Sequence, residues 1–288
     1  MERSRPRIPP GMRDFTPAEV RRREWVIGRI RRIFERYGYE PIETPSLELF
    51  ETLKGKLGDE GEQLLFKVLR RGTDLEQLRL GRVASVTVTD YDQVVDYALP
   101  YDLTVPFARF LAMHPETPRP FKRYQIQRVW RADRPQRGRY REFCQCDVDV
   151  AGTAAMAADA EMIAIMVEAL SDLGFIDFQT RVGHRKLLDA LVESAGGDAH
   201  LQAISVAIDK FDKIGEAGVL EDLRARGVPG EVAGRVLESI ALEGPVAEIL
   251  ARLAPRLEGT RRGAAGIAET RELFAILDAM GVPEKHRR

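Results

Sequence analysis

Two stretches of this chain carry side chains whose types and spacing could do chemistry. In Glu142–Val150 the period-two alternation of an extended chain puts Phe143, Gln145, Asp147 and Asp149 on one face. Cys144, Cys146, Val148 and Val150 take the other, which reads as a core face. The first face combines an aromatic ring, an amide and two carboxylates. It follows directly on Arg131–Arg141, which holds five arginines in eleven residues. Arginine forks suit phosphate oxygens, a ring can stack on a base, and carboxylates suit an ammonium or an imidazole. A solvated strand face with a basic hairpin tip would show the same pattern, and alternation alone does not separate the two. The second stretch is Pro100–Thr104, where Asp102 and Thr104 stand at strand-face spacing. Taken alone, it reads more simply as a turn in which Thr104 caps the helix that follows.

Composition narrows the chemistry. The 288 residues are 44% hydrophobic and 31% charged, enough for one large soluble domain or two ordinary ones. Lys and Arg total 44 against 45 Asp and Glu, a balance that argues against non-specific coating of nucleic acid but allows a local basic site. The four histidines, at 114, 184, 200 and 286, form no metal-ligand cluster, so no metal site is expected. Cys144 and Cys146, side by side on a strand face, are poorly placed for a disulfide. There is no Walker A loop, dinucleotide fingerprint or nucleophile-elbow serine. Nothing approaches the roughly 18 apolar residues of a membrane span, and the cytoplasm is the expected compartment.

The elements that must position these residues can be read along the chain. Thr16-Pro17-Ala18-Glu19 has the form of a capping box with proline at N1, opening a helix that carries Val26, Ile30, Ile33, Phe34 and Tyr37 and closes at Gly38. Tyr39–Pro45 reads as extended, Val83–Val88 as a strand and Pro106–Met113 as a helix. Strands over Arg123–Trp130 and Glu142–Val150 flank the basic loop. A long amphipathic helix over Ala154–Leu173 ends at Gly174, and Phe178–Val182 is one more candidate strand. After Gly183 the texture becomes helical, through Arg185–Ala195, Ile204–Ile214, Gly230–Ala241 and Ala264–Met280. The expected fold is α+β: an antiparallel sheet flanked by helices over residues 1–182, then a helical insertion domain over 183–288.

These residues resemble histidyl-tRNA synthetases, a family of class II aminoacyl-tRNA synthetases. Pro10–Phe15 is similar to the family's N-terminal segment, and Arg36–Pro45 resembles motif 1, which builds the dimer interface. Tyr101–Arg109 looks like the amino-acid-binding segment. The run from Tyr124 to Phe143 resembles motif 2, and Gln145–Gly152 the histidine signature that continues it. Asp102 and Asp133, where many bacterial members carry Glu, suggest the archaeal and eukaryotic-like branch.

The resemblance implies ATP as a substrate, accompanied by Mg2+, with histidine, tRNA(His) and a second copy of the chain as partners. It assigns Arg131 to the α-phosphate together with the histidine carboxylate side, Arg139 to the β- and γ-phosphates, Asp133 to the adenine end and Phe143 to stacking on adenine. Asp102, Thr104 and Gln145 would hold the α-amino group and Asp149 the imidazole. Arg131 would be the catalytic group, acting by electrostatic stabilisation.

Two departures stand out. Pro100 occupies a position that is usually Arg. Arg288 falls about where the family's second histidine signature and motif 3 would begin, so those segments and the anticodon-binding domain are expected to be absent from these residues, and the chain alone to form adenylate poorly. A histidine-sensing regulatory subunit of ATP phosphoribosyltransferase, an inactive synthetase fragment and an RNA-binding scaffold are the competing readings. Retention of Arg131, Arg139 and Phe143 favours the enzyme.

Overall fold

A computed structural model describes residues 6–54, 63–70 and 94–288. The strand expected over Val83–Val88 lies outside them. The chain divides into two compact units, residues 1–153 and 154–288.

The first unit opens on helix α1, Pro17–Arg36. The Thr16 hydroxyl accepts from the Glu19 backbone N–H, and the Glu19 carboxylate accepts from the Thr16 N–H at 2.7 Å, so the capping box forms with Pro17 in the first turn. Gly38, at φ +78°, turns the chain out of the helix into β1, Glu40–Pro41. Strands β2 (Glu48–Leu49), β3 (Phe66–Leu69) and β4 (Val95–Leu99), with the short helix α2 (Phe50–Leu53), come next. Helix α3 spans Thr104–Met113, and the long strands β5 (Phe121–Trp130) and β6 (Glu142–Ala151) complete the unit.

Among the described residues these strands form two three-stranded sheets, where a single antiparallel sheet was expected. One has the order β2-β4-β3 and is antiparallel throughout. The other has the order β1-β5-β6, with β5 and β6 antiparallel over all ten residues and β1 parallel to β5. β1 and β5 are joined through the long stretch between Pro41 and Phe121 and not by a hairpin, as a parallel pair requires. Phe50, Leu53, Leu65, Val95, Ala98 and Tyr101 form a core beneath the β2-β4-β3 sheet. Buried Glu48 accepts from Arg109 Nη2 at 2.7 Å and Nε at 2.8 Å, a two-pronged contact that ties α3 to β2.

The second unit is helical: α4 (Met156–Asp172), α5 (Arg185–Ser194), α6 (Leu201–Ile208), α7 (Phe211–Ala225), α8 (Gly230–Ile240), α9 (Val246–Leu253) and α10 (Gly263–Ala279). Val192, Ile204, Val219, Leu223, Val236 and Leu237 form one core, and Ala190, Leu191, Leu250, Leu253, Leu257 and Ile267 another. The helix expected over Ile204–Ile214 is two helices, and α7 itself kinks at Gly215, where φ is +67°. Phe178–Val182 is not a full strand, although Thr180 bridges Arg287 in parallel fashion. Because α4 packs with α10, the helical unit begins at Ala154, well before the change of texture at Gly183.

Candidate active site

The β5–β6 hairpin supplies the platform. Its register sets Arg123 opposite Asp149, Gln125 opposite Asp147, Gln127 opposite Gln145 and Val129 opposite Phe143. Residues directly opposite share a face, so one side of the hairpin carries a continuous polar surface. The other side faces α1. Phe34 packs on Tyr124 with centroids 5.6 Å apart, and Cys144 is held down to about 6, first by the Cys146 thiol and then by Arg23 of α1. Cys144 and Gln145 thus lie on opposite faces, as alternation requires. The cysteine face is half-buried, less closed than a core face.

A network fixes the β5 side of the polar face. Gln125 Nε2 donates to Thr44 Oγ1 at 2.8 Å and to Gln127 Oε1 at 2.6 Å, while Gln127 Nε2 donates to the Thr44 carbonyl at 2.8 Å. Arg123 is wholly buried at one end of this row, with Nη2 2.5 Å from Asp149 Oδ2. Neither Arg123 nor Asp147 was among the binding residues expected from sequence. Counting the hairpin outward from its loop brings Arg123 opposite Asp149 and was the available signal.

Asp102 joins the group from the turn before α3. Its Oδ1 accepts the Val105 N–H at 3.2 Å, so Asp102, and not Thr104, caps that helix; Thr104 is its exposed first residue. Burial raises the carboxyls of Asp102 and Asp147 above the ordinary aspartate range, with Asp149 adding to both and Arg123 and Arg131 opposing. Burial also pushes the Tyr101 hydroxyl up to about 12. Arg131 donates from Nε to the Tyr101 carbonyl at 3.0 Å, and its guanidinium stands 5.2 Å from the centre of the Phe143 ring. Asp102, Arg131, Phe143, Gln145 and Asp149 therefore belong to one cluster. Three carboxylates face two guanidiniums there, and Tyr101 Oη, Gln145 Oε1 and Arg123 Nε are buried without a hydrogen-bond partner. Buried polar atoms left open call for a polar ligand.

The basic loop closes on itself. Gln136 and Arg139 exchange backbone hydrogen bonds at 2.9 and 3.2 Å across a turn that places Gly138 at φ +80°. Asp133 and Arg139 pair with each other, and Arg141 holds the Asp133 carbonyl at 2.9 Å. The N-terminal segment supports the loop: the Gly11 carbonyl accepts the Arg141 N–H at 2.7 Å. A Cβ on Gly11 would meet Arg141 Cγ at 2.8 Å, and Gly11 sits at φ +81°, so only glycine fits. Pro100 fits its position as well, because its neighbour uses only its carbonyl, which accepts the Trp130 N–H at 2.9 Å.

The family model described as histidyl-tRNA synthetase matches residues 11–87 and 76–287, most of the chain. The chain belongs to the histidyl-tRNA synthetase family. It is 41% identical to the histidine–tRNA ligase of Cytophaga hutchinsonii over 279 residues, 96% of this chain and 62% of that protein. To the histidine–tRNA ligase of Gloeobacter violaceus it is 41% identical over 294 residues, 96% of this chain and 60% of that protein. The crystal structure of histidyl-tRNA synthetase from Nostoc superposes with a TM-score of 0.81 at 28% identity, over 98% of this chain and 60% of that one. A Bacillus halodurans structure, described as an ATP phosphoribosyltransferase regulatory subunit/histidyl-tRNA synthetase, gives 0.76 at 26% identity, over 97% and 66%. The chain thus spans about three fifths of the length of the curated histidyl-tRNA synthetases it matches. Those relatives are bacterial, which removes the support for an archaeal and eukaryotic-like branch. An aspartate in place of glutamate keeps the carboxylate and is a weak marker of lineage. Among the described residues no helix is long and apolar enough to cross a membrane.

Proposed function

We propose that this chain carries the histidine-reading half of a histidine–tRNA ligase site. Such a site joins histidine to ATP as histidyl-adenylate and passes the aminoacyl group to tRNA(His), in the cytoplasm. The observation that carries this reading is the meeting of Asp102, Gln145 and Asp149 with Arg131 on one polar face of the hairpin. Carboxylates and an open amide oxygen are matched to the ammonium and ring N–H groups of histidine. Thr104, Asp102 and Gln145 hold the α-amino end and Asp149 the ring.

Arg131 lies beside both the Asp102 turn and the Phe143 ring, at the junction where a carboxylate attacks an α-phosphate. Its fixed positive charge stabilises the charge that develops there, and no covalent enzyme intermediate is needed. Phe143 offers the adenine a stacking face, Asp133 meets the adenine end, and Arg139 reaches the outer phosphates. Arginines form a phosphate-binding set and not a cation-binding one. Mg2+ therefore accompanies the nucleotide, held mainly by phosphate oxygens and water.

In the same reading two copies associate through α1 and the segment to Pro45, and the helical residues after 183 form an insertion domain that meets the tRNA acceptor end. A histidine-sensing regulatory subunit is the second reading, favoured only by the dual description of the Bacillus halodurans structure. The Arg131–Phe143 pairing favours the enzyme, since a sensor has no need of it. Histidine-dependent exchange of pyrophosphate into ATP, by the protein that carries this chain, distinguishes them. Exchange supports the ligase. Saturable histidine binding without exchange supports the sensor.

A further inference from the structure

The residue that most shapes the histidine end of the face is one the proposed chemistry leaves idle. Arg123 is wholly buried, although an arginine is among the residues least often found inside a protein. Four groups hold it. Nη2 lies 2.5 Å from Asp149 Oδ2 and 3.3 Å from the Leu103 carbonyl, and Nη1 lies 3.4 Å from Gln125 Oε1. The guanidinium also stands 4.5 Å from the centre of the Phe107 ring. The Asp149 side chain is 30% exposed, so the pair is one-sided, with the cation sealed below and the carboxylate open above. Through Leu103, Arg123 also fixes the turn that carries Asp102. One buried cation therefore sets both ends of the face.

This arrangement bears on the form of the ring that can bind. An aspartate with no cation beneath it would attract an imidazolium most strongly. With Arg123 against one oxygen its charge is already matched, and what remains is a hydrogen-bond acceptor for a neutral N–H. The other charged groups that bear on the site are Asp147 from β6, Asp102 from the turn before α3 and Arg131 from the end of β5.

We propose that Arg123 is a positioning and specificity residue: it holds Asp149 as a neutralised acceptor, so that the site selects histidine with a neutral imidazole over the imidazolium. The inference rests on the reading that Asp149 meets the histidine ring.

Calorimetric titration of the chain with histidine between pH 5.5 and 8 tests it. The comparison ligand is 1,2,4-triazole-3-alanine, whose ring stays neutral over that range. Any titration of Asp102 and Asp147 affects both ligands alike. Wild-type affinity for histidine, relative to the triazole, should fall about tenfold per unit once the pH is well below the imidazole pKa of roughly 6.5. Binding at pH 6 should also release a fraction of a proton to the buffer. Arg123→Gln should flatten or reverse the pH trend. Arg123→Lys, which keeps the charge but loses the fork, should keep the trend and weaken binding about tenfold. Should Arg123→Gln fail to fold, the wild-type comparison and Arg123→Lys still decide.

Wild-type histidine affinity that holds or rises relative to the triazole as the pH falls would overturn the inference. So would folded Arg123 variants with wild-type affinity and pH trend. Asp149→Asn separates the two levels. Unchanged histidine affinity in that variant removes the underlying reading. Lost affinity there, with indifferent Arg123 variants, removes only the role of Arg123.

Discussion

Arg139 Nη2 lies 2.9 Å from Asp133 Oδ2 across the turn of the basic loop, so two residues expected at opposite ends of one nucleotide are paired with each other. The Arg139 side chain is more than half exposed, and an ion pair of that kind is worth at most about 1 kcal/mol. A polyphosphate can displace the aspartate at little cost. Arg139→Ala should therefore weaken ATP binding about tenfold and leave histidine binding unchanged, as read by calorimetry with each ligand alone. An equal loss for both ligands would place Arg139 in the scaffold and not at the phosphates.

Arg131 is held differently. Its Nε is committed to the Tyr101 carbonyl, which leaves the terminal nitrogens for ligand. Removing one preorganised donor to a developing oxyanion typically lowers turnover by about a hundred- to a thousandfold. Arg131→Ala should cost pyrophosphate exchange at least that much, mainly in kcat. Arg131→Lys should recover only part of it, because a single ammonium cannot replace the fork.

Asp147 gives a prediction for stability. Its carboxyl is raised by burial, so the folded state disfavours the ionised form. A group whose folded pKa is raised favours folding when protonated, below its unfolded pKa, and that contribution is lost as the pH rises through the folded value. Asp147→Asn should therefore raise the thermal midpoint at pH 7. The difference should shrink as the pH falls through the raised folded value toward the ordinary aspartate value of 3.8, below which the native residue becomes protonated in both states. Equal gains at pH 7 and pH 4, followed by scanning calorimetry, would contradict the burial account.

Association is the fourth prediction. Helix α1 buries only Ile33 and Phe34 within its own unit, while Trp25 remains 54% exposed. The Arg29 guanidinium stands 4.8 Å from the centre of the Trp25 ring, and exposed tryptophans and arginines are common anchors at an interface. Sedimentation should show a dimer whose dissociation constant rises at least tenfold in Trp25→Ala. A monomer at high concentration would refute the proposed use of this face.

What the sequence revealed follows the range of the interactions involved. The Thr16 cap and the faces of β6 depend on neighbours a few residues apart and on a period of two, and both were legible. Arg123 was not, because its role depends on a partner across the hairpin, reached only by carrying the register of Trp130 and Glu142 back to Asp149. Asp102 and Thr104 both have side chains that can cap a helix, and spacing could not show that α3 starts one residue later than Leu103 with Asp102 reaching its Val105 N–H. The start of the helical unit at Ala154 was hidden for a similar reason. Helix α4 follows β6 directly in sequence but packs with α10, which starts at Gly263.

In the proposed site one face of β6 reads histidine through Asp149. Calorimetric titration of histidine into the wild-type chain and into Asp149→Ala, with circular dichroism to confirm folding, tests it most directly. Binding to the wild type should be saturable and should weaken at least a hundredfold in Asp149→Ala, as expected when a buried donor of the substrate loses its acceptor. Equal affinity in the two proteins would contradict it.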